Sequence, residues 1–238
     1  MAKNTIILFE NVHFFQLVDI KAPFNSCSKT KVYIPDVNAF ALIVYDFETD
    51  KSWRIQNKLF YPNPNFGTFT IAGESFDMMD GIFGIALKKD KINNSDNLID
   101  SNTKKETDDR LMYFHALSSN TENTVPLSVI NDRSLWEQDS GAEPRAFNII
   151  GSRSSQTSIQ ALDSNGNMWF VLIEPIALAC WDSTTPYKRS NIKIVLKNAK
   201  TLQFASGLKL VKNALGMEEL WITTIRIQVC LNLIFKDC

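Results

Sequence analysis

Apolar and polar positions alternate in short runs along most of this chain, and the runs end at turn-forming residues. Residues 31–37 (KVYIPDV), 39–47 (AFALIVYDF) and 52–56 (SWRIQ) are rich in β-branched and aromatic side chains. Joined by turns such as Glu48-Thr49-Asp50-Lys51, they predict an antiparallel meander. Pro35 has no N–H to give to a ladder, which predicts an edge or a bulge in the first run. A second group comprises 69–72, 82–87, 110–117 and 125–130. A third comprises 147–150, 158–162, 168–173, 176–181 and 192–196. A fourth starts at 202–204, continues through 208–212 and reaches 220–229. No long segment keeps a helical period over three turns. The predicted class is all-β. Strand groups recurring every ~40–50 residues suggest the four-stranded blades of a β-propeller.

One segment breaks the pattern. Residues 88–109 (KKDKINNSDNLIDSNTKKETDD) are charged, asparagine-rich and nearly free of large apolar groups. Such a stretch buries too little surface to offset its ordering entropy, which predicts a mobile loop insert. It carries the glycosylation sequon Asn93-Asn94-Ser95, which has meaning only in a secreted protein.

Composition narrows the partners. The 238 residues are 45% hydrophobic, enough for one domain with a real core. Basic and acidic residues number 25 and 26, a net charge of −1, which gives no general attraction to nucleic acid or to an anionic membrane. Lys188-Arg189 reads as a solvated turn. No apolar run nears the ~18 residues that span a bilayer. The run TIILF is cut by Glu10, short of a signal-peptide core. Cys27, Cys180, Cys230 and Cys238, with only His13 and His115 to help, match no zinc spacing. No metal and no cofactor is expected. One or two disulfides and a set of buried thiols are both compatible with that cysteine count.

Three places carry candidate chemistry. Residues 70–87 (TIAGESFDMMDGIFGIAL) open like a strand, pass through an acidic turn and close on a second strand. Gly81 and Gly84 suit close backbone approach or a positive φ. In one reading Asp77 and Asp80 accept backbone hydrogen bonds in the turn. In the other, Glu74, Asp77 and Asp80 belong to an active-site loop. His115, in LMYFHAL, alternates with apolar residues, so a core or channel-wall histidine stands against a general base. No Ser, Cys or Asp near it forms a triad order. Asp163-Ser-Asn-Gly-Asn with Glu174 superficially resembles a calcium loop, but Met168 stands where the loop's glycine belongs. The strand MWFVLI would also carry Glu174 roughly 23 Å away, so a turn between strands is predicted.

The stretches YIPDVNAFALIVYDFETDKSWRIQ, TIAGESFDMMDGIFGIAL, LMYFHALSS with VPLSVI, GSRSSQTSIQALDSNGNMWFVLIEPIALACWD and TLQFASGLKLVKN with EELW resemble, in order, the Yellow/major royal jelly protein family of insects. The resemblance runs from about Val32 to Trp221. It implies a secreted six-bladed β-propeller with a central channel, of which about four blades are represented here. The family includes cuticle-pigmentation proteins, dopachrome-converting proteins of the melanin pathway, royal jelly storage proteins and salivary amine binders.

Four departures qualify it. The chain resembles an N-terminally truncated member, which implies exposed strand edges and an apolar blade face. The insert 88–109 is unusually long and polar, and residues 11–20 match only loosely. Residues 222–238 form an atypical tail: where the family has Asn-Arg-Phe after the tryptophan, this chain has Ile225, Arg226 and Ile227.

The resemblance also implies site residues. Channel-lining positions are Phe83, Gln160, Asp163, Gln203 and Ser206, with Glu74 and Asp80 as the carboxylates. Cys27 and Cys180 are its disulfide candidates and Asn93 its glycosylation site. The ligand it implies is a small aromatic amine or catechol, held by aromatic stacking and a carboxylate–amine pair. The expectation is a non-enzymatic binding or pigmentation protein. A dopachrome-type tautomerase using His115 or Asp80 as base is the alternative, and a non-functional partial gene product a further one.

Overall fold

The computed structural model describes residues 17–19, 29–88 and 110–236, with side-chain surroundings to residue 231. Cys27, His13, Cys238, Asn93 and nearly all of the 88–109 insert lie outside the described residues.

The described chain is built of antiparallel sheets. Strands β1 (Leu17–Asp19), β2 (Lys31–Asp36), β3 (Ala41–Asp46) and β4 (Lys51–Gln56) form the first as a simple meander. Its register pairs Tyr33 with Val44 and Val44 with Trp53. Pro35 pairs with Leu42 on one side, and on the other lies past the described β1 pairing, which stops at Tyr33, so its missing N–H interrupts no described ladder there. The hairpin of β5 (Thr68–Ile71) and β6 (Glu74–Asp77) follows. Its two-residue turn, Ala72-Gly73, has φ of +52° and +92°. Both central residues of a type I′ hairpin need positive φ.

The second four-stranded sheet holds β7 (Ile82–Leu87), β8 (Leu111–Ala116), β9 (Thr121–Pro126) and β10 (Asn148–Ser152). Two short helices, α1 (Leu127–Ile130) and α2 (Arg133–Trp136), join its last two strands. The third sheet is β11 (Thr157–Leu162), β12 (Asn167–Leu172), β13 (Ala177–Asp182) and β14 (Ile192–Lys197). The last has two strands, β15 (Phe204–Lys212) and β16 (Glu218–Ile225), and the helix α3 (Ile227–Lys236) follows directly.

The sheets stack in sequence order, which gives a propeller-like arrangement. β7 lies beside β1, β2 and β11, and β11 beside β15. The first core cluster joins sheet one to sheet two: Tyr33, Leu42, Val44 and Ile55 pack with Ile82, Met112, Phe114 and Val125. Phe60 sits 5.2 Å from Phe114 and 5.5 Å from Phe147 in edge-to-face contacts. A second cluster joins sheets two and three through Tyr113, Met168, Phe170, Trp181 and Tyr187. A third seats the last sheet and the β5–β6 hairpin against sheet three through Phe69, Ile71, Leu117, Val171, Leu178 and Phe204.

The structure corrects four sequence expectations. Residues 125–130 are not one strand: β9 ends at Pro126 and α1 begins. Pro126 closes the strand and stands at the N-cap of α1 without a side-chain capping bond, and at a helix start its missing N–H costs no helical hydrogen bond. The run 147–150 belongs to the second sheet, whose outer strand it forms, rather than to the third group. The run 220–229 ends as a strand at Ile225, and α3 takes over. Asp77 stands on β6 rather than in the turn.

Candidate functional site

A cavity of about 520 Å³ opens where the first two sheets, the last sheet and α3 converge. Its wall is Val37, Asn38, Met78, Asp80, Phe83, Leu117, Phe204, Ser206, Ile225 and Ile227. That size falls within the roughly 300–1,000 Å³ of small-molecule sites. Of the ten, Asp80 alone is ionisable. Phe83 and Phe204 supply rings, Ser206 and Asn38 polar groups, and the other five a hydrophobic surface.

The backbone at Asp80 is held on several sides. Its N–H donates to Ser118 Oγ at 3.0 Å, and its carbonyl accepts from Ser118 N–H at 3.1 Å. The Ser118 hydroxyl donates to the Met78 carbonyl at 2.7 Å, and Met78 N–H reaches the Gly67 carbonyl at 2.8 Å. Gly81 then passes against the first sheet, donating to the Val37 carbonyl at 3.2 Å. A Cβ on Gly81 would collide with the Phe40 ring and with two backbone carbonyls, Phe60 and Val37. Close approach, one of the two roles expected for this glycine, is therefore the one it plays. Phe83 follows on β7, half-buried and facing the cavity.

The sequence-predicted residues divide. Asp80, Phe83 and Ser206 come together around this cavity. Glu74 is exposed on β6 and is not in its wall. Asp77, the other carboxylate of the opening stretch, accepts from Thr68 Oγ1 at 2.8 Å. Gln203 donates to the Ala199 carbonyl at 3.0 Å and accepts from Gln228 at 2.7 Å. Asp163 closes the β11–β12 turn: its carboxylate accepts from the N–H groups of Asn165 and Asn167, the Asn167 amide and the Trp169 indole, all within 3.0 Å. With those four donors on it, the turn is hydrogen-bonded internally, as a strand-to-strand bend requires. Cys180 is a free thiol on β13, its pKa pushed up mainly by burial. Among the described residues no three His, Cys, Asp or Glu side chains cluster to hold a metal, and no helix is long and apolar enough to cross a membrane.

His115 lies elsewhere, fully buried between sheets two and three. Its Nδ1 is 3.1 Å from Glu122 Oε2. A carboxylate only accepts, so Nδ1 carries the proton that faces Glu122. Burial first, and Arg153 second, hold its pKa below the usual histidine range, against the opposing pull of Glu122. Glu122 is also gripped by Arg153 at 2.8 Å and by the Gln160 amide at 2.8 Å. Arg153 in turn donates to the Tyr187 hydroxyl at 3.2 Å, and burial drives that phenol up to about 12. The group ties β8, β9, β11 and the segments around Arg153 and Tyr187 together. Glu122, Arg153 and Tyr187 were not candidates from sequence, and Gln160 and His115 belong with them rather than to the cavity.

A second hollow, about 640 Å³, lies between β4 and α2. Its cations are engaged within the fold, Arg54 with Asp36 at 3.2 Å and Arg133 with Glu137. The indoles of Trp53 and Trp136 donate to the Ile130 and Val129 carbonyls. This hollow therefore offers less to a ligand than the first cavity.

The wall residues that sequence reasoning did not select are Val37, Asn38, Met78, Leu117 and Phe204. A signal existed for two others. Ile225 and Ile227, which the sequence marked as departures from the triplet that the resemblance implies, both line the cavity.

Comparison with known proteins bears on the family of the chain. The family model described as "Major royal jelly protein" matches residues 4–235. Dopaminechrome tautomerase of Drosophila melanogaster is 28% identical over 226 residues, covering 93% of this chain and 45% of the relative. Major royal jelly protein 9 of Apis mellifera is 32% identical over 212 residues, 86% of this chain and 45% of the relative. Protein yellow of Drosophila yakuba is 30% identical over 208 residues, 87% of this chain and 35% of the relative. The chain spans less than half the length of these curated relatives.

Proposed function

The chain belongs to the major royal jelly protein family, and from that premise we propose that it is a secreted, propeller-type binding protein for a small aromatic amine. One observation carries the reading: a single carboxylate, Asp80, shares an otherwise largely apolar cavity with two aromatic rings, Phe83 and Phe204. The carboxylate pairs with the ligand's ammonium. The rings cover its aromatic face, and Ser206 and Asn38 take its hydroxyl groups. The tethering of the Asp80 backbone through Ser118 supports a preorganised anchor, which limits the entropy lost on binding. Pigmentation or cuticle chemistry is the setting that the family suggests.

A second reading is a tautomerase acting on a catechol-derived iminochrome, favoured by the name of one relative and by Asp80 being the ionisable group in the wall. Asp80 would take a proton from the ring-bearing carbon and return it to the quinone oxygen, with no net oxidation. His115 does not serve this reading, because it is buried, bonded to Glu122 and outside the cavity wall.

Loss of dopaminechrome absorbance above the uncatalysed rate, abolished in Asp80→Asn, would establish the second reading. Saturable binding of dopamine without turnover would establish the first. Neither binding nor turnover would refute both.

A further inference from the structure

The last sheet has two strands, as the β5–β6 hairpin does, where the three larger sheets have four. Among the described residues, no strand pairs with the outer edge of β16. The chain also leaves that edge: α3 starts at Ile227, and its Gln228 bonds to Gln203 ahead of β15. One face of β15–β16, with Leu208, Leu220 and Ile222, packs on the core. The other face shows Trp221, 63% exposed, and Val211. A strand of eight residues with an open ladder edge and an exposed indole is a template for another strand.

We infer that the strand is supplied by a second copy of this chain, laid antiparallel along β16 about a twofold axis at Trp221. The sequence EELWITTI fits itself in that register. Trp221 faces its own copy, so two indoles meet on the open face. Leu220 faces Ile222 on the core side, and Glu219 faces Thr223. Glu218 faces Thr224. No carboxylate meets a carboxylate, and each large apolar side chain of the central residues meets another. β16 also carries no Lys, Arg or Pro, the residues that usually blunt an edge. Two copies complete a four-stranded sheet, β15–β16–β16–β15, the size of the three larger ones. An edge of eight residues is only ~26 Å long, so the interface falls near the lower end of specific ones, roughly 1,000 Å² in total. The dimer therefore forms reversibly, with concentration.

The test is light scattering on the purified chain over a hundredfold range of concentration, together with three variants. The wild type shifts from monomer to dimer mass. Trp221→Glu, which sets two like charges at the axis, stays monomeric with an unchanged melting temperature. Trp221→Cys forms an intermolecular disulfide, mapped by mass spectrometry to position 221 in both copies. Thr223→Cys does not join to itself, because in this register its copy lies roughly 13 Å away. A monomer at every concentration overturns the inference, whether because the edge stays bare or because another part of the same chain covers it. A dimer that survives Trp221→Glu, or that cross-links through position 223, overturns it equally.

Discussion

Gly84 on β7 and His115 on β8 stand directly opposite each other, and the imidazole occupies the space that a side chain at Gly84 would need. A Cβ at this glycine would overlap two atoms of the ring. The ring cannot give way easily, because its other side is tied to Glu122. A glycine in a strand is here a device for seating a buried histidine between two sheets.

Gly84→Ala should therefore cost stability as an overpacked core does, about 1–3 kcal/mol. Urea unfolding measures it. If the variant is as stable as the wild type, the His115 ring is not locked as described.

Removing Glu122 should cost more. Its carboxylate sits, fully buried, against Arg153, His115 and Gln160. Glu122→Ala leaves the Arg153 guanidinium buried without its counter-charge, a loss of about 3–5 kcal/mol. Converting Arg153 to methionine in the same chain should recover part of that loss, because the stranded charge is then gone. The double variant's unfolding midpoint, set against the two single ones, is the measurement.

Acid should weaken the fold through His115. Its pKa in the folded protein is below the ordinary value of 6.5. As pH falls through 6.5, the unfolded chain takes a proton at this side chain while the folded chain resists, so stability drops with falling pH. Each pH unit in that window removes up to about 1.4 kcal/mol. His115→Gln keeps a donor toward Glu122 but cannot titrate, and should flatten the stability profile just below pH 6.5. A profile unchanged by the substitution would assign the acid sensitivity elsewhere.

The sheets were legible in sequence where β-branched and aromatic residues cluster between turns, as in residues 31–56. On β3 and β4 the core side chains Leu42 and Val44, and Trp53 and Ile55, follow the period of two, whereas β2 is buried from Tyr33 through Asp36. Helices were missed where β-branched residues dominate. ITTIRIQV has the composition of a strand, yet α3 forms from Ile227 onward, next to the cavity it helps to wall. The site was legible where local features coincided: a carboxylate, two glycines and an aromatic in residues 80–84. Contacts across the fold were not. Glu122 meets Arg153 31 residues away and Gln160 38 away, and no local pattern marks such a partnership.

The isoleucines of the cavity wall make a separate prediction. Ile225→Asn with Ile227→Phe puts a polar anchor and a ring where this chain has aliphatic groups. Dopamine affinity should rise about tenfold, the equivalent of one good hydrogen bond or one aromatic contact. Equal affinity in both proteins would place the ligand away from this wall.

The most direct test of the binding-site account is titration calorimetry of dopamine into the wild-type chain and into Asp80→Asn. The account predicts saturable one-to-one binding in the wild type and at least about tenfold weaker binding in the variant, some 1.4 kcal/mol. Catechol, which has the ring but no amine, should bind both proteins equally. If dopamine binds both proteins alike, or binds neither, Asp80 is not an amine anchor and this cavity is not the site.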